Sequence, residues 1–444
     1  MVAEFNATNE WGIEVSAEYA GSYNEVYDKM LAAIAANDPS LMPNLTVGYA
    51  NSFGKYMLAE ALVDMDEFVD SPKWGLTEEE YADFFPGIFE SDVSPQFGDG
   101  HYRMGFPPNR CMQVLYYNQE WLNELGYEAP PTTWAEFKEM ACAATDPDAG
   151  TVGLTVGEGA SLMAGLIFSR HGAYAKEDGS AFDFTNDKVK ESMAYMKELY
   201  DEGCYVTPAE TYGEQADFGN YKTLFTIGSS SGLPYYDQAV IEGEQGEFLW
   251  SVAPLPYMDY GDEPLQNVYG GSVAVPKTSP EAELATWLWV KWLTSPEQLA
   301  RWAKISGYFP VRASVAEEMA DYFDANPAYK TAFELLPFGT FEAQWCPCYE
   351  DVRRSMADSF VAILDGADVD STLAQLEADA NVSLEENMPG VAVLETPEPT
   401  PEPTEEAPAA AGGIFIFGRG GDSVQLDPAI VTDGESFRVT GQCL

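Results

Sequence analysis

Five residues, Gly228-Ser229-Ser230-Ser231-Gly232, satisfy the pattern G-x-S-x-G and follow the apolar run 224–227. That pattern marks a strand-to-helix turn presenting a nucleophilic serine, which needs an acid and then a histidine further along the chain. The only histidines are His101 and His171, both upstream, so no triad assembles in that order. The six cysteines, Cys111, Cys142, Cys204, Cys346, Cys348 and Cys443, contain no C-x-x-C pair, which argues against structural zinc. Asp146/Asp148 and Asp365/Asp368/Asp370 lack the loop spacing of a calcium site and read as solvated surface. No Walker loop occurs, and no G-x-G-x-x-G follows a strand. With 73 acidic residues a glycosidase carboxylate pair stays open as an alternative, but spacing singles out none. Catalytic residues, cofactors and metals are therefore all assigned as none.

The elements that must hold these residues alternate between strand and helix, which defines an α/β chain. Ser22 and Glu25 form a capping box ahead of a helix whose buried face is Val26, Met30, Ala33 and Ile34. The run 45–49 reads as a strand ending in GYANSF, with Tyr49 at the tip of a strand-to-helix corner. Such corners, at the carboxyl ends of strands, are where open α/β sheets bind ligands. Residues 114–117 read as a buried strand, and Thr133 with Glu136 boxes the helix after Pro130-Pro131.

The stretch 270–312 is the densest in signals. A Gly270-Gly271 turn precedes a short strand, and Ser279 with Pro280 starts a helix that buries Leu284, Leu288 and Trp292. Ser295 and Gln298 suggest a second capping box, Gly307 a helix end, and Tyr308-Phe309-Pro310 an extended segment. Further helices are expected from about 352 to 366 and from 371 to 387.

Composition excludes whole classes of function. The formal net charge is −51, from 73 acids against 22 bases, so no basic footprint exists for nucleic acid. No apolar run approaches 18 residues, so no spanning helix is expected. Ten tryptophans and 25 tyrosines suit either a large aromatic core or a cleft that stacks sugars. Residues 391–413, rich in Pro, Glu and Ala, read as an extended linker.

The stretch GGSVAVPKTSPEAELATWLWVKWLTSPEQLARWAKISGYFPVR, together with "YYN" at 116–118 and the "P-TW-EF" pattern at 131–137, resembles extracellular solute-binding proteins of ABC importers. The likeness is to the carbohydrate and glycerol-phosphate group and covers about residues 1–390. It implies the type II periplasmic-binding-protein fold, two α/β lobes with a hinge and a ligand cleft between them. Lobe one would take 1–114 plus 268–311, and lobe two 115–267 plus 312–390. In that family a signal peptide and a first strand come earlier, so the chain is expected to start late. Residues 414–444 resemble the opening of a different group, the peptide-binding solute-binding proteins. They are read as a truncated tail that packs little on the lobes, or alternatively as an interaction tail.

The resemblance also implies a function. The chain would bind a sugar, oligosaccharide or glycerol-phosphate-type ligand by lobe closure and deliver it to a membrane permease. It would act as a monomer outside the cytoplasm, without nucleic acid. The alternatives are a secreted glycan-active hydrolase and an adhesion module. By position in the matched motifs, Tyr49, Ser229, Gly271, Tyr308 and Arg353 would contact ligand, joined by Asn109, Ser230 and the stacking candidate Trp345. Arg353 is the most telling, because its planar fork suits phosphate or paired hydroxyls; the competing reading pairs it with a neighbouring acid. Val156 stands where glycerol-phosphate relatives use a serine, which counts against that ligand. Cys142 on one helix and Cys204 after another would pair in an extracytoplasmic compartment.

Overall fold

A computed structural model describes residues 1–94, 101–176, 179–388 and 415–417. Its organising element is the strand Cys111–Asn118, CMQVLYYN, buried at all eight positions. Successive side chains of a strand point to opposite faces, and here the two faces serve different cores. Leu115 and Tyr117 join one cluster with Phe137, Leu154, Met193, Tyr349 and Phe360. Met112, Val114 and Tyr116 join the other with Phe106, Trp287, Phe309 and Tyr329. A smaller third cluster gathers Val26, Met30, Phe53 and Tyr56.

Around this strand the main sheet is mixed. Thr223–Ser229 pairs antiparallel along one edge, Gln113 opposite Ser229 and Tyr117 opposite Phe225. The other edge is shared, Trp250–Ala253 pairing with the second half and Gln266–Tyr269 with the first. Gly339–Phe341 lies parallel beyond Gln266–Tyr269, while Val152–Thr155 and Tyr205–Val206 continue the opposite side in parallel. Apart from this sheet, Ser272–Ala274 pairs antiparallel with Thr46–Gly48.

Local capping chemistry sets several helix starts. Both the Ser22/Glu25 and the Thr133/Glu136 boxes form, opening Tyr23–Ala36 and Trp134–Ala144. Ser279 caps Pro280–Leu293 through the Ala282 amide. The Ser295/Gln298 box does not form: Ser295 makes no side-chain cap, because Gln298 is drawn inside, where its Oε1 accepts from Arg301. Gly307, at φ 71°, ends that helix in the left-handed conformation open to glycine. Pro280–Leu293 is also buried more widely than a stripe every four residues, since Thr286, Trp287, Trp289 and Val290 are enclosed as well. The C-terminal helices are Tyr349–Leu364, burying Val352, Met356, Phe360 and Ile363, and Val369–Asn387.

A disulfide joins Cys142 to Cys204, with Cα atoms 4.8 Å apart and a sequence separation of 62. A second links Cys346 to Cys348 across one residue. Replacing Cys142 and Cys204 together by serine should lower stability by about 2–4 kcal/mol, chiefly by freeing the unfolded chain. Urea midpoints of the oxidised protein and the double variant measure this.

The tail corrects one expectation. Residues 391–413 lie outside the described residues, as does 414–444 except for 415–417. Those three do not stand apart: Phe415–Phe417 pairs in parallel with Val15–Ala17. The physical reason is that a strand edge is a template for any segment of high strand propensity, and the alternating aromatic and β-branched sequence here is one.

One half-buried carboxylate, Asp64, makes stability depend on pH. Asp64 accepts hydrogen bonds from the amides of Asp66 and Arg103, both at 3.1 Å. Burial outweighs them and pushes its pKa from 3.8 up to about 6. The folded value is the higher one, so the cost of ionising Asp64 is absent below pH 3.8 and complete above about 6. Asp64→Asn should therefore stabilise the protein at pH 7.5 by about 1 kcal/mol, discounted because the group is only half-buried. At pH 3.5 the same variant should show no gain in its urea midpoint.

Candidate functional site

Five segments distant in sequence converge on a cavity of about 150 Å³. Tyr49 and Asn51 stand at the start of the helix Ala50–Leu58, directly after the strand Thr46–Gly48. Ser161 opens the helix Ala160–Phe168. Tyr269 ends the strand Gln266–Tyr269 and shares a face with Asn267, two residues earlier. Glu342 and Gln344 follow the strand Gly339–Phe341, and Tyr349 and Arg353 lie one turn apart on the helix Tyr349–Leu364.

Glu342, only 3% exposed, is the hub. Its carboxylate accepts from Ser161 Oγ at 2.8 Å, Asn267 Nδ2 at 2.9 Å, the Tyr349 hydroxyl at 2.9 Å and Arg353 Nη1. Arg353 Nη2 donates to Ser161 Oγ at 3.0 Å, and the Tyr349 and Tyr174 hydroxyls bond to each other. Burial alone would raise the Glu342 pKa, but the Arg353 charge and the Asn267 and Ser161 bonds hold it below the ordinary carboxylate range. Burial likewise opposes the charge of Arg353, and Glu342 more than restores it. Facing this pair are phenols that stay protonated, since burial pushes Tyr49 and Tyr269 well above 10.0. The lining thus offers hydroxyl, amide and carboxylate groups around one balanced ion pair.

The residues proposed from sequence fall into three groups. Tyr49 and Arg353 line the cavity. Ser229, Gly271 and Tyr308 do not line it: Ser229 and Tyr308 lie close enough to Tyr269 to affect its titration, as Tyr308 does for Tyr49. At Gly271 a Cβ would stand 2.8 Å from the Tyr23 hydroxyl, so glycine admits that ring, which packs 5.1 Å from Tyr49. Asn109, Ser230 and Trp345 are not brought to the cavity. Asn109 gives its carbonyl to Arg110, the Ser230 hydroxyl accepts from the Met112 amide, and Trp345 stacks on Phe182.

Six lining residues escaped the sequence reading: Asn51, Ser161, Tyr269, Glu342, Gln344 and Tyr349. Only Tyr269, next to the glycine pair, carried a usable signal. Val156 is buried in the core, and Ser161 five residues later donates to Glu342 and accepts from Arg353.

The serine turn lacks a base. His171 bonds the Glu263 carbonyl, and His101 sits between Asp66 and Glu90. Neither partners Ser230.

Comparison with known proteins agrees with this geometry. Residues 1–331 match the family model described as bacterial extracellular solute-binding protein. The sn-glycerol-3-phosphate-binding periplasmic protein UgpB of Shigella dysenteriae is 24% identical over 353 residues, 75% of each chain. The cyclic alpha-maltosyl-1,6-maltose binding protein of Arthrobacter globiformis superposes with a TM-score of 0.70 at 20% identity, covering 87% of this chain and 94% of that one. UgpB of Mycobacterium tuberculosis, in complex with glycerophosphocholine, gives 0.70 at 19% identity with the same coverage. The fold is the type II periplasmic-binding-protein fold. The chain belongs to the bacterial extracellular solute-binding protein family. It is a solute-binding protein and not an enzyme. No helix among the described residues is long and apolar enough to cross a membrane.

Proposed function

We propose that this protein captures a small hydroxyl-rich solute, a sugar, oligosaccharide or glycerol-phosphate-type molecule, in the cavity between Tyr49 and Arg353. The single observation that carries the reading is the buried Glu342/Arg353 pair, flanked by Ser161, Tyr269 and Tyr349 and open to a cavity. Such a lining can donate to and accept from several hydroxyls at once, while tyrosine faces supply apolar contact. Lobe one, residues 1–114 plus 268–311, closes on lobe two, 115–267 plus 312–390, with the segment around Tyr329, which shares a core with Trp287 and Phe309, moving with lobe one. The crossings between lobes act as a hinge.

The relatives' names support the ligand class, since one is named for glycerol 3-phosphate and another for a cyclic maltose derivative. The Cys142/Cys204 disulfide supports action outside the cytoplasm, where such bridges persist. The closed form docks on the permease as a monomer. A thermal-shift panel of sugars, oligosaccharides and glycerophosphodiesters tests this directly. A ligand-induced rise in melting temperature without turnover is the expected result, and turnover of a chromogenic glycoside would overturn it.

A further inference from the structure

The four donors that converge on Glu342 are what an anion site is made of. An arginine, two hydroxyls and an amide surround one carboxylate, which is almost wholly excluded from solvent. In a cleft built for phosphate, an arginine fork and hydroxyls of this kind would meet the ligand's oxygens. Here the protein's own side chain already fills that place. Arg353 gives one nitrogen to Glu342 and the other to Ser161, and the cavity lining contains no lysine and no second arginine. Asn51 in that lining donates at 3.2 Å to a further acid, Glu350. A phosphate entering the cavity would meet Glu342 across Arg353 and no unshared cation.

From this we infer that Glu342 is a resident anion that sets the ligand class: the cleft selects uncharged polyhydroxy solutes and rejects phosphate-bearing ones. The inference rests on the cavity being the solute site. Hydroxyl groups suit the arrangement, because each can donate to Glu342 or Gln344 and accept from Arg353 or a phenol without bringing charge. Rejection follows from repulsion in a poorly hydrated site, where like charges are weakly screened.

The test is calorimetric titration of the full chain and of Glu342→Gln with maltotriose, glycerol 3-phosphate and inorganic phosphate. For the unmodified protein, maltotriose should bind at least 100-fold more tightly than either phosphate compound. In Glu342→Gln the affinity for glycerol 3-phosphate should rise at least tenfold and that for maltotriose should fall. If the variant folds poorly, Glu342→Ala gives a second readout. Millimolar acetate or phosphate should raise its melting temperature by refilling the vacated carboxylate place, and should leave the unmodified protein unaffected. Tighter binding of glycerol 3-phosphate than of maltotriose by the unmodified protein overturns the inference. So does the absence of any gain for anions in both variants. Failure of the unmodified protein to bind any of the three, with anion binding gained by the variants, would instead strike the reading of the cleft as a solute site and leave the resident-anion assignment standing.

Discussion

Trp287→Ala should lower stability by about 3–5 kcal/mol, the range for truncating a fully buried large aromatic. Trp287 is wholly enclosed. Its ring meets Phe106 edge-on at 5.5 Å and stacks on Phe68 at 6.1 Å, and its Nε1 donates to the Trp74 carbonyl at 2.9 Å. Alanine would leave a cavity between three segments far apart in sequence and orphan a carbonyl. A urea midpoint at unchanged slope measures the loss. Trp287→Phe, which keeps most ring contacts and drops only the hydrogen bond, should lose considerably less.

The second large effect is expected at Arg353. Arg353→Ala should cost about 3–5 kcal/mol, because it strands the Glu342 carboxylate in a nearly dry site. Replacing both partners, Arg353→Met with Glu342→Leu, should cost less than the single change, since no uncompensated charge is left behind. The comparison is between the denaturant midpoints of the single and the double variant. A single variant as stable as the double would show that the pair is hydrated and weak. Ligand affinity should fall at least tenfold in Arg353→Ala, equivalent to about 1.4 kcal/mol.

Signals that act over three or four residues survived contact with the structure. The Ser22/Glu25 and Thr133/Glu136 boxes, the Ser279 cap and the Gly307 terminus all depend on neighbours in sequence. The Ser295/Gln298 box had the same spacing and failed, because tertiary burial of Gln298 competed with a local bond. Periodicity located the helix Pro280–Leu293 but understated its burial, since it is enclosed on more than one side. Only residues 114–117 of the two-faced strand Cys111–Asn118 were legible as a buried strand, and nothing in CMQVLYYN says that its two faces serve different cores.

The site was far less legible. Tyr49 stood out because strand-to-helix corners have a general geometry, and Arg353 because the chain has few bases. Glu342 had no such distinction among 73 acids. What sets it apart is convergence with Ser161, 181 residues away, and Asn267, 75 residues away. Sequence spacing holds no trace of such contacts. The pairing of Phe415–Phe417 with Val15–Ala17 is non-local in the same sense. A strand's partner is decided by which edge the fold leaves open.

The claim on which the account turns is that the cavity between Tyr49 and Arg353 holds the solute. Tyr49 tests it more cleanly than Arg353, because its half-buried ring can be removed without stranding a charge. The measurement is calorimetry with the tightest ligand from the thermal-shift panel, on the unmodified protein and on Tyr49→Ala. The account predicts at least a tenfold loss of affinity, about 1.4 kcal/mol, with the urea midpoint shifted far less than by Trp287→Ala. An affinity unchanged in Tyr49→Ala would contradict it and place the solute elsewhere on the molecule.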